Sequence, residues 1–208
     1  DFAKDVLRHI RQMDFKISWS VPNGIRSESL DEELLLLMKE TGLYLISLGI
    51  ESGSDRVLKL MKKNTTTSLI KNAIQRIRKF NIDIAGFFII GFPGETLNDI
   101  ERTIRFSLDL DIIRANFFTY LPFPGTESYE YIKQKEGLDK VDWEKFYFFN
   151  ASYSPEGIDA HTLKKLQRKA FVKFYSRPGI FWKNISQIKS LRHFKFLVKR
   201  FFHWILMK

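Results

Sequence analysis

Four short segments carry the side chains and backbone amides of this chain that could do chemistry. The first segment contains Arg26, and the second contains Glu51 and Ser52. The third segment is the Gly-Phe-Pro-Gly sequence at 91–94, and the fourth is the Pro-Phe-Pro-Gly sequence at 122–125. Together they offer a guanidinium, a carboxylate, a hydroxyl and amides that a flat ligand can approach closely, because glycine has no Cβ. Such a set suits a ligand with hydroxyls, an amino acid end and a planar base, as in a nucleoside.

Several other kinds of site are excluded by the residue inventory. The 208 residues contain no Cys, which excludes disulfides, zinc fingers, cysteine nucleophiles and an iron–sulfur cluster held by this chain alone. The four His lack metal-ligand spacing. The sequence also has no phosphate-binding loop, dinucleotide fingerprint or serine-nucleophile elbow.

Each of the four segments, taken singly, also has a purely structural interpretation. Pro-Gly sequences terminate strands in any fold. Glu51 could be only an acid near a helix N-terminus, and Arg26 could be a surface residue. Their order and their common position at strand ends are what favour a site.

The stretches around these segments alternate between apolar and amphipathic patterns, which is typical of βα units in a parallel sheet. The pattern predicts strands at residues 16–21, 44–50, 84–90 and 115–121. It predicts helices at residues 2–13, 30–41, 55–80 with a break at 64–67, 96–110 and 129–136. In βα barrels the working residues follow the strands, which places all four segments at one face.

Local signals mark the helix boundaries. Ser29 followed by Glu32 predicts a capping box at one helix start, Thr96 with Asp99 predicts a second helix start, and Gly42 predicts a helix end. One buried helix face is predicted from apolar residues at three- and four-residue spacing: Ile70, Ala73, Ile74 and Ile77.

Length and charge predict two regions. An eight-unit barrel needs ~250 residues, so residues 1–140 have room for a partial TIM barrel, and we expect an upstream segment to cover its open edge. Residues 161–208 contain 13 Lys and Arg and no Asp or Glu, and breaker residues at 154–157 precede this change. Residues 141–208 are therefore predicted to form a basic, aromatic-rich helical extension.

Four motifs in order resemble the second half of the radical S-adenosylmethionine (SAM) core: residues 22–26, 47–63, 86–96 and 120–126. The resemblance covers about residues 1–180, and the subgroup most resembled carries a cobalamin-binding domain ahead of its barrel. It implies an α/β fold, with βα units three to six of a partial TIM barrel in this chain.

The resemblance also implies cofactors. In that family a six-stranded partial barrel binds SAM and a 4Fe-4S cluster. An electron from the cluster cleaves SAM to a 5′-deoxyadenosyl radical, or the cluster supports cobalamin-dependent methyl transfer. The cluster cysteines lie in a C-x-x-x-C-x-x-C loop that this chain lacks. We therefore expect the cluster ligands and the cobalamin domain in a missing N-terminal part of the same protein. The alternative is a catalytically silent, degenerate barrel that acts as a binding or membrane-docking module.

Position by position, the resemblance assigns SAM contacts. Glu51 and Ser52 would bond the ribose or amino group of SAM, and Arg26 is the candidate for its carboxylate. The adenine would lie along residues 89–93, with Ile89, Gly91 and Pro93 as candidates. Tyr120 and Leu121 would close the other side of the adenine. The family's acid appears one residue late, as Glu95, which we interpret as a helix-start carboxylate.

The end of the chain predicts a membrane contact. Phe194, Val198 and Ile205 belong to an apolar stripe flanked by Lys195 and Lys199, typical of a helix in a membrane interface. Packing of the stripe on the barrel explains it equally well. We expect a cytoplasmic protein that reaches an anionic inner membrane surface, with a small-molecule or lipid substrate rather than nucleic acid.

Overall fold

A computed structural model of the chain describes residues 2–186, 188, 190–192, 194–195 and 198–199. Its parallel four-stranded sheet has the order β1-β2-β3-β4, with β1 (Trp19–Ile25), β2 (Leu43–Glu51), β3 (Asp83–Ile90) and β4 (Arg114–Thr119). The helices are α1 (Phe2–Arg11), α2 (Glu32–Glu40), α3 (Asp55–Leu60), α4 (Thr67–Arg78), α5 (Leu97–Asp109), α6 (Glu127–Lys135), α7 (Ala160–Tyr175) and α8 (Pro178–Ser186). The predicted α/β class, with four βα units, is confirmed.

The first strand begins and ends later than predicted. β1 contains the Pro-Asn-Gly sequence at 22–24 that was predicted to close it. Val21 pairs with Ile46, but the next pair is Ile25 with Leu48, so β1 bulges by two residues there. Because β1 is an end strand of this sheet, Pro22, which has no N–H, is tolerated.

The second helix starts differently from the prediction. Its N-cap is Asp31, whose side chain accepts a hydrogen bond from the Leu34 N–H at 2.8 Å. Ser29 instead lies in a 3-10 turn. Gly42 does end this helix, with φ of +95°, and a Cβ there would come within 1.9 Å of the Ile17 carbonyl oxygen. Only glycine fits this close approach.

The other helix signals are confirmed. The predicted 55–80 helix breaks into α3 and α4, and the buried residues of α4 are the four that its spacing predicted: Ile70, Ala73, Ile74 and Ile77. At the start of α5 the Thr96 N–H donates to Asp99 Oδ2 at 3.1 Å, and the Asp99 N–H donates to Thr96 Oγ1 at 3.3 Å. This reciprocal pair is a capping box.

The Cα positions cluster into two compact units, which are described separately. The first comprises Asp1–Phe88 with Asp109–Asn116, and the second comprises Ile89–Leu108 with the chain from Phe117 onward. The predicted boundary between residues 140 and 141 remains a prediction.

The predicted helical extension is helical only in part. Residues 142–159 form one 3-10 turn (Trp143–Lys145) and irregular chain, whereas α7 and α8 are helices. Within the described residues, no helix is both long and apolar enough to cross a membrane. Of the predicted apolar stripe, Phe194 and Val198 are described, and the rest lies outside the described residues.

Candidate functional site

The backbone turns sharply where β2 ends. Glu51 has a φ of 63°, which is uncommon for a residue other than glycine. The Ser52 N–H donates to the Ile50 carbonyl oxygen at 2.8 Å, closing a three-residue turn around Glu51. Such a conformation costs ~1–3 kcal/mol, and strained residues of this kind cluster at functional sites. Glu51 is therefore held at the strand end at an energetic cost.

The Glu51 carboxylate forms an ion pair with Lys63, which lies between α3 and α4. Lys63 Nζ is 2.8 Å from Glu51 Oε1, and the side chains are 35% and 13% exposed. A Cβ at Gly49 would come within 2.9 Å of the same oxygen, so glycine provides the space that the carboxylate occupies. The end of β2 thus presents one carboxylate and one ammonium that remain partly accessible to solvent.

Ser52 and Arg26 have different environments from Glu51. Ser52 is fully buried, and its Oγ accepts a hydrogen bond from the Ser54 N–H at 3.1 Å, which stabilises the turn. Arg26 directly follows β1 and is exposed. Burial opposes ionisation of the Glu28 carboxyl, but hydrogen bonds and the positive charge of Arg26 outweigh it and lower the Glu28 pKa. The predicted SAM contacts of Ser52 and Arg26 remain predictions.

In the second unit, a buried acid organises the turn after β3. Glu95 Oε2 accepts hydrogen bonds from the Gly91 N–H at 2.5 Å and the Phe92 N–H at 3.1 Å. Gly91 has a φ of +81°, and a Cβ there would come within 2.7 Å of Leu163 in α7. Glu95 therefore shapes the segment that was predicted to lie along adenine, in addition to preceding α5.

The remaining candidates of the second unit lie in an apolar and aromatic environment. Tyr120 is packed edge-on against Phe92, with ring centroids 5.0 Å apart, and Ile89 packs on the same cluster. The Tyr120 hydroxyl donates to Ser128 Oγ at 2.6 Å, and burial raises its pKa. Pro93 and Leu121 are buried. The structure thus brings Ile89 and Tyr120 together.

Sequence analysis missed two residues of these sites. Lys63 belongs to a matching motif, but its distance of 12 positions from Glu51 gives no local sign that the two side chains meet. Glu95 was interpreted as a helix-start acid, although its carboxylate bonds backward to the turn. A glycine with an acid four residues later is the signal that could have identified this contact.

The described residues contain no group of three or more His, Asp or Glu that could hold a metal ion. Because the chain also has no Cys, its residues do not fit an iron–sulfur cluster.

Comparison of the sequence with known proteins identifies the family of the chain. The model of the Radical SAM superfamily matches residues 1–107. An uncharacterized methyltransferase of Pyrococcus horikoshii is 34% identical over 198 residues, which are 95% of this chain and 42% of the relative. Cytidylyl-2-hydroxyethylphosphonate methyltransferase of Streptomyces wedmorensis is 33% identical over 134 residues, which are 61% of this chain and 25% of the relative.

One solved structure shows the same fold. Coproporphyrinogen III oxidase (HemN) of Escherichia coli, a radical SAM enzyme, superposes with a TM-score of 0.55 at 14% sequence identity. The superposition covers 83% of this chain and 36% of that protein. The chain thus spans less than half the length of the proteins it matches here.

Proposed function

The chain belongs to the radical SAM superfamily, and we propose that it forms part of the SAM-binding site of a radical SAM enzyme. The observation that carries the proposal is the Glu51–Lys63 ion pair at the end of β2, built on a strained backbone. A degenerate barrel has no need of a strained acid at this position, which favours an active site over a silent module.

The ion pair complements the amino acid end of SAM. That end carries one ammonium and one carboxylate, the reverse of the charges of Glu51 and Lys63. Glu51 accepts hydrogen bonds from the ligand ammonium, and Lys63 donates hydrogen bonds to the ligand carboxylate. The ion pair within the protein is thereby replaced by two ion pairs between the protein and the ligand. Such charge-assisted hydrogen bonds are about twice as strong as neutral ones. Arg26, exposed after β1, is a second cation for the carboxylate.

The apolar candidates provide the flat contacts. Ile89, Gly91 and Pro93 follow the course of β3 into its turn, where Glu95 holds the backbone. Tyr120 and Leu121 follow β4. We assign both segments to the adenine of SAM on the family's motif order, and Ser52 to the turn beside its ribose or amino group.

Bound SAM supplies a methyl group or a carbon radical. The names of two methyltransferase relatives support methyl transfer as the reaction, with cobalamin as the carrier that the resemblance implies. The 4Fe-4S ligands are assigned to residues outside this chain, because the chain has no Cys. The cobalamin site is assigned outside this chain because the resembled subgroup carries its cobalamin-binding domain ahead of the barrel. A phosphonate in the name of one relative supports a small-molecule substrate. Contact with an anionic membrane, a lipid substrate and a cytoplasmic location stay predictions.

The proposal is tested by titrating the protein with SAM in a calorimeter. Glu51→Gln removes the negative charge and keeps the side-chain size, and we expect it to weaken SAM binding by ~1–3 kcal/mol, the loss of a charged hydrogen bond. Lys63→Met is expected to weaken binding by a similar amount.

Glu33→Gln is the matched control, because Glu33 also forms ion pairs, with Lys4 at 2.7 Å and with Arg8, but on α2. Its SAM affinity should equal that of the unmodified protein. Unchanged affinity in the Glu51 and Lys63 variants would remove this ion pair from the SAM site.

A further inference from the structure

A cleft beside the Glu51–Lys63 ion pair contains two further lysines. This open cleft of about 720 Å³ forms around the segment that joins α3 to α4, within the first compact unit. Lys59, Lys62 and Lys63 line it. Lys63 is paired with Glu51, which leaves Lys59 and Lys62 without a role in the proposed SAM contacts.

The backbone conformation of Lys62 is unusual. α3 ends in a Schellman motif, in which the Lys63 N–H donates to the Leu58 carbonyl at 2.9 Å and the Lys62 N–H donates to the Lys59 carbonyl at 3.0 Å. Lys62 occupies the left-handed position of this motif, with φ of 54°, where glycine is the usual residue. The chain therefore carries an ammonium group at a position that the backbone alone would give to glycine.

Lysines outnumber acids among the residues that line the cleft. Among its lining residues, all of them described, the one acid is Asp55. Asp55 Oδ1 accepts a hydrogen bond from the Thr67 N–H at 2.7 Å, so this carboxylate is engaged by the first turn of α4. Lys59 has no ion pair within the described part of the chain, and its side chain can reach an incoming anion.

Two neutral donors, Asn64 and Thr66, also line the cleft. Thr66 Oγ1 accepts a hydrogen bond from the Leu69 N–H, and a hydroxyl that accepts can still donate its own hydrogen. A phosphate group carries a charge of about −1.5 to −2 and three acceptor oxygens. Two ammonium groups together with neutral donors match the charge and the three oxygens of a phosphate. A carboxylate ligand, with one charge and two oxygens, would use fewer of these groups.

From these observations we propose that this cleft binds the phosphate or phosphonate group of the substrate. The inference rests on the proposed function only in calling the ligand a substrate, because Lys59 and Lys62 are not assigned to SAM. Lys59 and Lys62 neutralise the anion, and the hydroxyl and amide groups orient it.

The test uses ³¹P NMR line widths of glycerol 3-phosphate, and separately of inorganic phosphate, titrated with the purified protein. Lys62→Gly removes the ammonium group and relieves the left-handed backbone, so its folding should be unimpaired. We expect it to weaken glycerol 3-phosphate binding at least fivefold, and Lys59→Met to do the same. Asn81→Gly, which relieves another left-handed residue with φ of 52° and changes no charge, should bind like the unmodified protein.

Equal binding by the Lys62, Lys59 and unmodified proteins overturns the proposal. Inorganic phosphate that binds as tightly as glycerol 3-phosphate overturns the assignment to a substrate, since the cleft would then recognise the free ion. SAM affinity measured on the same samples separates the two proposals. Lost phosphate binding with intact SAM binding in the lysine variants supports the cleft alone, and phosphate binding by a protein that fails to bind SAM contradicts only the proposed function.

Discussion

The two carboxylates that follow β2 and β3 differ in their partners, and therefore in what they can do. Glu51 contacts a partly exposed ammonium, a partner that a zwitterionic ligand can replace. Glu95 is 2% exposed and accepts hydrogen bonds from two backbone N–H groups, partners that no ligand can replace without opening the turn. Glu51 is suited to binding, and Glu95 to positioning the backbone.

A buried tyrosine makes the stability of the protein sensitive to alkaline pH. Tyr153 is 1% exposed, and burial, together with its hydrogen bond to Glu136 Oε2 at 2.9 Å, raises the pKa of its hydroxyl far above 10. A group whose pKa is raised by folding stabilises the folded state fully below its unfolded value, near 10, and that contribution is lost at higher pH. We therefore expect the free energy of unfolding to fall above pH 10, and Tyr153→Phe to make that fall smaller.

Urea unfolding at several values between pH 7 and pH 11 measures this effect. Tyr131→Phe is the control, because Tyr131 is 48% exposed. A Tyr153→Phe protein with the same alkaline loss of stability as the control would contradict the prediction.

At the scale of elements, α7 packs directly on β4. Phe117 of β4 is fully buried and contacts Phe171 and Phe174 of α7, with ring centroids 5.3 and 6.5 Å apart. Gln167 of α7 is 1% exposed, and its Nε2 donates to the Phe117 carbonyl oxygen at 2.7 Å. Within the second compact unit, α7 therefore covers the part of β4 that contains Phe117.

The Gln167 hydrogen bond predicts a stability effect. Gln167→Leu keeps a side chain of similar bulk but removes the donor, which leaves a buried carbonyl short of a partner. We expect the free energy of unfolding to fall by ~1–3 kcal/mol, measured by urea unfolding. Arg168→Leu, at the exposed next position of α7, should change stability by less than ~0.5 kcal/mol. Equal effects of the two substitutions would show that the Gln167 hydrogen bond contributes no net stability.

At the scale of the whole molecule, the absence of Cys predicts what the 208-residue chain cannot do alone. Iron–sulfur clusters are held by cysteine thiolates, and this chain has none. We expect that reconstitution of the chain with iron and sulfide gives no broad visible absorption, while SAM titration of the same sample still gives binding.

A visible absorption band that persists after desalting would contradict this prediction, because it would require ligands other than cysteine. A serum albumin sample treated in the same way controls for iron sulfide that adheres to any protein.

Much of the fold could be predicted because its signals are local. Apolar spacing along α4 identified the four buried residues, and Thr96 with Asp99 identified the start of α5. Hydrophobic periodicity and capping act within a few residues, so a single sequence contains them in full. The order of the strand-end motifs was equally visible, and it supported the family that the comparisons then showed.

The sequence by itself therefore determined the α/β class, the number of βα units, the family and the identity of Glu51 as a candidate. Only the tertiary structure decided that Lys63 meets Glu51, that β1 continues through Pro22, and that Glu95 bonds back to Gly91. These three features depend on distances through space and on backbone angles at single turns. Such distances are set by how strands and helices pack, which the spacing of residues along the chain does not specify.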